Sequence, residues 1–244
     1  MLSTSDLTFI EKKGITAEMI DAQLKRFEVG FPFLKINAVA TIGNGIKAFS
    51  PEETAACVKA WSDFQQTGKA IEKFVPASGA ASRMFKNMFA FASSGKDAPT
   101  TDFEKEYFEN ITKFAFYADL NNACRKLYRS NVQELMSAGR YVDVVKAMLE
   151  PEGLNYGFLP KALLKFHKTT GGNAHTPLEE HLEEGAQYAA DKNRKVNLHF
   201  TVSPEHKAEF EKLLTAKLPI YEQVWGVKYN VTMSEQKSST DTIA

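Results

Sequence analysis

In FVPASGAASRMFK (Phe74–Lys86) a short apolar run ends at Pro76, a loop of small residues follows, and Arg83 and Lys86 open a helical pattern. The run reaches back to Ile71, so Ile71–Val75 reads as a buried strand and RMFKNMFAFASS as a helix. Strand, loop and helix in this order open an α/β sheet, whose ligands bind beyond the carboxyl ends of the strands. Small residues let backbone N–H groups approach a ligand. A helix starting near Ser82 aims its unpaired N–H groups and partial positive charge at an anion. Arg83 adds a planar fork of donors that matches phosphate oxygens, and Lys86 adds a point charge. The loop is neither G-x-x-x-x-G-K-[ST] nor G-x-G-x-x-G. From this stretch alone, a tight turn and a phosphate cradle are both open readings.

The rest of the chain supplies partners for such a unit. VNLHFTVS (Val196–Ser203) and GVKYNVTMS (Gly226–Ser234) are rich in β-branched and aromatic residues and read as strands. TPLEEHLEEGAQYAA reads as a helix with Thr176 as N-cap, Pro177 next and Glu179 closing a capping box. SPEHKAEFEKLLTAKL reads as a helix capped by Ser203. The alternation implies an α/β fold: a Rossmann-like parallel sheet with helices on both faces. A helical insertion at 98–155, rich in Phe and Tyr and without strand signal, interrupts it. Phe103, Tyr107, Phe108, Phe114, Phe116 and Tyr117 read as the insertion's own core and its packing onto the sheet.

Residues 1–70 read as a helical N-terminal extension to an α/β domain at 71–244. ITAEMIDAQLKRFEVG gathers Ile15, Met19, Ile20, Leu24 and Phe27 on one helix face and stops at Gly30. FSPEETAACVKAWSDFQQTG starts with Ser50, Pro51 and Glu53, a second capping box, and Gly43-Asn44-Gly45 marks a turn.

Thirty basic residues balance thirty acidic ones among 244. No global field recruits nucleic acid or anionic lipid, so any anion binding falls to local basic clusters. No stretch approaches the ~20 apolar residues of a membrane span, and no signal peptide opens the chain. Cys57 and Cys124 are far apart and outside any C-x-x-C pair, which fits a reducing, cytoplasmic setting. Both read as small buried residues of helices.

HTPLEEHLEEG and LHFTVSPEH offer a different chemistry. His175, Glu179, Glu180, His181 and Glu184 combine imidazole with carboxylate, the donor set of a zinc-like ion. H-E-x-x-H is absent, and a solvated acidic helix face with cap residues is the favoured reading. His199 reads as a satisfied core or pocket residue, and His206 stands at a helix start.

ASGAASRM is similar to the loop signature A-[AG]-G-x-G-[ST]-R-[ML] of sugar-nucleotide pyrophosphorylases, matching at Ala77, Gly79, Ser82, Arg83 and Met84. Ala81 stands where that signature has its second Gly, and a methyl there is expected to narrow the cradle. LPKALLKFH supplies Pro160, Lys161 and Leu163 of a P-K-x-L piece. SEQKSSTDTIA supplies Gln236 and Thr240 of a third piece, with Asp241 and Ile243 departing from its usual Ala positions. Together with TPLEEHLEEGAQYA and LHFTVSPEH, these fragments resemble the bacterial domain-of-unknown-function family 4301, itself similar to nucleotide-diphospho-sugar transferases. The resemblance runs from about Phe74 to Ala244.

It implies nucleotidyl transfer: a nucleoside triphosphate and a sugar phosphate give a nucleotide sugar and pyrophosphate. By the resemblance, Ala77, Ser78, Gly79, Ala80, Ala81 and Ser82 hold the triphosphate, with Lys86 adding charge. Arg83 stabilises the leaving pyrophosphate, Lys161 meets the α-phosphate or the incoming phosphate, and Gln236 and Thr240 read base or ribose. Mg2+ bridges the phosphates, with its protein ligand not identified. Such enzymes carry a later strand ending in a metal-holding Asp. The sequence stops inside the third fragment, which implies an α/β domain incomplete at its C-terminus. Two alternatives are a non-catalytic binding module and a metal-dependent enzyme using the His/Glu cluster.

Overall fold

Along KVNLHFTV apolar side chains alternate with polar ones, the period of a strand with one buried face. The computed structural model describes residues 3–169 and 171–237. It places this segment at the centre of a three-stranded parallel sheet: β1 (Glu72–Pro76), β2 (Lys195–Val202) and β3 (Lys228–Glu235), in that spatial order. Phe74 pairs with His199 and His199 with Thr232, so these side chains share one face. Val196, Leu198, Phe200 and Val202 take the other and are buried.

The chain divides into two compact units, one built on residues up to Lys69 and the other running from Ala70 to Glu235. The first holds helices α1 (Thr4–Lys12), α2 (Ala17–Val29) and α3 (Pro51–Gln65). Ser50 and Glu53 form the expected capping box of α3, and Gly30 ends α2 at φ 72°. Gly43 and Gly45 both have positive φ, as the expected turn requires. Of the apolar face read on α2, Ile15 and Ile20 are half-buried, while Met19, Leu24 and Phe27 are exposed, Phe27 to 84%. Cys57 on α3 is also exposed, against the expectation of a buried thiol.

In the second unit, α4 (Lys86–Ser93) follows β1, and a helical block follows it: α5 (Asp102–Glu109), α6 (Tyr117–Tyr128), α7 (Val132–Ser137) and α8 (Tyr141–Leu149). Phe91, Phe108, Phe116, Leu120, Val144 and Met148 are buried in one core. The block therefore stabilises itself, and it recruits α4 through Met88 and Phe91. Cys124 is buried there, and burial pushes its thiol up to about 11.

Helices α9 (Pro177–Tyr188) and α10 (Lys207–Trp225) pack a separate core with the sheet: Leu178, Leu182 and Ala186 from α9, Phe210, Leu214 and Tyr221 from α10. Thr176 and Glu179 close the expected capping box of α9. Gly185 sits where α9 meets β2; a Cβ there would lie 2.8 Å from Val196 Cγ1.

Two expectations are corrected here. Within this unit α9 and α10 cover one face of the sheet, where cover on both was expected. The other face carries Phe74, Asn197, His199, Asn230 and Thr232, with Phe74 62% exposed. A strand covered on both sides needs a near-continuous apolar run, and β2 alternates instead. Ser203 does not cap α10. A 3₁₀ turn, Pro204–His206, intervenes and the helix starts at Lys207 with His206 as N-cap. The Ser203 hydroxyl donates instead to the Ser78 carbonyl at 3.2 Å.

Candidate functional site: the loop after the first strand

The loop leaves the carboxyl end of β1 and is held at both sides. Ala77 N–H donates to the Thr201 carbonyl at 2.8 Å, extending the pairing of β1 with β2 by one residue. On its far side, Lys161 N–H donates to the Gly79 carbonyl at 3.0 Å, and Ala80 bridges Pro160. Two sequence pieces separated by the whole helical block thus lie side by side. Gly79 and Ala80 are exposed, and a Cβ added at Gly79 would meet nothing within 4 Å.

Ala81 is only 1% exposed and belongs to the core with Phe85 and Met88. Its methyl is therefore packed inside the protein, and the expectation that it narrows the cradle is corrected. The helix start is corrected too. Ser82–Phe85 form a turn in which Met84 N–H donates to the Ala81 carbonyl at 2.9 Å, and α4 begins only at Lys86. Burying Ala81 and Phe85 bends the chain here, which moves the partial positive helix end away from Ser82. Charge at the loop falls to side chains. Arg83, Lys86 and Lys161 are all exposed, and none has an ion pair among the described residues.

Gln236 follows β3 directly but lies outside the second unit. Thr240, Asp241 and Ile243 lie outside the described residues. Ser203 was not anticipated at the loop; it ties the chain leaving β2 to the chain leaving β1. Its signal was its place directly after the apolar alternation of β2.

The His/Glu cluster is built differently from the solvated face expected of it. Glu179 is 1% exposed and pairs with Lys217 at 2.6 Å. Burial opposes its charge, but Lys217 and the backbone N–H of Thr176 outweigh burial and hold its carboxyl below the usual range. Glu184 bonds Lys73, which also bonds the Tyr188 hydroxyl, and lies 2.9 Å from His181 Nδ1. Lys73 foremost holds the Glu184 carboxyl down at about 2. His175 Nδ1 is 3.8 Å from Glu180 and 3.7 Å from Glu183, and His167 Nδ1 is 3.8 Å from Glu180. Among the described residues no group of three such side chains is set to hold a metal ion. His199 is satisfied as expected, with Nδ1 2.8 Å from the Thr232 hydroxyl and Nε2 2.8 Å from the Ser234 hydroxyl, but it is half-buried on a sheet face and not in the expected core or pocket. It stacks on Phe74 at 5.6 Å on the open sheet face.

A cavity of about 580 Å3 lies in the helical block, lined by Met84 and Phe85, which follow the loop, and by residues of α5. Four of its aromatic residues, Phe103, Tyr107, Phe114 and Phe116, were expected to serve the insertion's core and its packing onto the sheet. Among the described residues no helix is long and apolar enough to cross a membrane.

No curated protein and no solved structure matches the chain. The family described as domain of unknown function DUF4301 matches at residues 3–244. With its loop, its Pro160–Leu163 piece and nearly its whole length inside that match, the chain belongs to the DUF4301 family.

Proposed function

We propose that this protein binds the phosphate groups of a nucleotide at Ala77–Ser82 and transfers a nucleotidyl group to a phosphorylated small molecule, on a Rossmann-like fold of the nucleotide-diphospho-sugar transferase kind. The observation that carries the reading is the bond from Lys161 N–H to the Gly79 carbonyl, 3.0 Å long. It sets an exposed small-residue loop beside an exposed lysine, with Arg83 a few residues on. Phosphoryl chemistry of this kind needs positioning and charge neutralisation more than covalent help. Arg83 offers a bidentate fork to the terminal phosphates and Lys161 a point charge to the phosphate that is attacked.

Mg2+ is usually held by one or two carboxylates together with substrate phosphates. Neither the loop nor the Pro160–Leu163 turn contains a carboxylate. These residues do not fit a protein-held Mg2+, and no step is derived through it. The same lack of a carboxylate favours a second reading, nucleotide binding without turnover.

Calorimetric titration with ATP and Mg2+ tests the binding. The expected result is saturable binding that Arg83→Ala weakens at least about tenfold, the size of one lost charge-assisted hydrogen bond. Unchanged affinity in Arg83→Ala refutes the site. Release of pyrophosphate on adding a sugar 1-phosphate separates transfer from binding alone.

A further inference from the structure

The cavity in the helical block is independent of the phosphate-loop reading. At about 580 Å3 it falls within the ~300–1,000 Å3 range of small-molecule sites. Six aromatic rings line it, Phe103, Phe114 and Phe166 among them, and its polar lining is Glu106, Asn110 and Tyr107. Two of the three donors of that polar set are engaged. The Tyr107 hydroxyl donates to Met148 Sδ at 3.1 Å, and the Asn110 amide nitrogen donates to the Glu106 backbone carbonyl at 2.8 Å. One Asn110 N–H remains, outnumbered by acceptors: the Asn110 amide oxygen and the two oxygens of the Glu106 carboxylate. No basic side chain lines the cavity. Aromatic faces are themselves negative and attract cations.

We propose that this cavity binds a small organic ammonium ion, its aromatic or aliphatic body among the rings and its protonated nitrogen at Glu106 and Asn110. Glu106 and Asn110 both offer free acceptors, and the one charged lining side chain is the Glu106 carboxylate. An anionic ligand of the same shape meets the Glu106 carboxylate with like charge, and a neutral one forms no ion pair with it. Phe103 is 44% and Met84 46% exposed, so the cavity opens to solvent and a ligand enters without unfolding of the block.

Two probes of one ring system and opposite charge test this: naphthalen-1-ylmethylammonium and naphthalene-1-acetate, titrated calorimetrically into the full chain at low salt. The ammonium is expected to bind about tenfold or more tightly than the acetate, the scale of one charge-assisted hydrogen bond. Glu106→Gln is expected to remove most of that preference, and Phe103→Ala to weaken the ammonium several-fold. Glu106 is exposed on α5, so its substitution leaves the fold intact, checked by an unchanged unfolding midpoint. Tighter or equal binding of the acetate, no binding of either probe, or an ammonium affinity untouched by Glu106→Gln overturns the proposal. ATP titration of Glu106→Gln is expected to match the parent, which keeps this site distinct from the loop.

Discussion

Lys161 donates its backbone N–H to the carbonyl oxygen of Gly79 at 3.0 Å, joining the loop after β1 to the chain that returns from the helical block. The bond uses main-chain atoms only, so the Lys161 side chain remains available to a ligand. Lys161→Ala is therefore expected to leave the unfolding midpoint within about 2 °C of the parent, as for most surface substitutions. ATP affinity, read by calorimetry, is expected to fall several-fold.

Gly79 and Ala81 are expected to respond in opposite ways. Gly79→Ala adds a methyl in open space, so stability is unchanged or slightly higher, while close approach of a phosphate is hindered. Ala81→Gly removes a buried methyl and loosens the backbone, destabilising by ~1 kcal/mol without raising ATP affinity. Denaturant titration and calorimetry on the two variants check both halves. A gain in affinity in Ala81→Gly contradicts the buried placement of that methyl.

Gly185 is a packing position. In Gly185→Ala the new Cβ lies 2.8 Å from Val196 Cγ1 and 3.2 Å from Leu198 Cδ2, both fixed in the core. Overpacking of this kind costs ~1–3 kcal/mol, against a helix-propensity gain of up to ~1 kcal/mol. A lower denaturation midpoint is the expected outcome.

Glu184 predicts an acid limb of stability. Its carboxyl is held at about 2, chiefly by Lys73, against the usual 4.5. A depressed folded-state value means that its contribution is complete above the unfolded value and is lost as pH falls from about 4.5 towards 2. Carbon-detected NMR is expected to find the Glu184 titration near the bottom of that window. Lys73→Met is expected to move it upward and to flatten the dependence of the unfolding midpoint on pH there.

The thiols are expected to differ sharply. Cys57 is exposed, and Cys124 is buried with its thiol pushed up to about 11. A thiol reagent at neutral pH is expected to modify one cysteine rapidly in the folded protein and both in denaturant. Mass spectrometry of the fast product is expected to place the label on Cys57.

Features decided within a few residues were legible. The β-branched and aromatic content of VNLHFTVS gave β2, and the Ser50–Glu53 and Thr176–Glu179 spacings gave two capping boxes, because a cap needs only its own first turn. The alternation in KVNLHFTV already spoke against helices on both faces of the sheet. At the loop, the pattern RMFK reads as helix from local propensity. Burial of Ala81 and Phe85 overrides that and delays α4 to Lys86. Ser203 has the residue type and the following Pro of a cap, yet the Ser78 carbonyl in the loop after β1 takes its hydroxyl.

The sequence by itself determined the three strands of the parallel sheet, the capped starts of α3 and α9 and the small-residue loop with its Arg and Lys, because each rests on neighbours in the chain. Only the tertiary structure decided that Lys161 lies against Gly79, that the Ala81 methyl points to the core, and that Glu179 is buried against Lys217. It alone decided that aromatic residues of the helical block leave a cavity between them. Those outcomes depend on which distant segments exclude water from one another, and no local spacing records that.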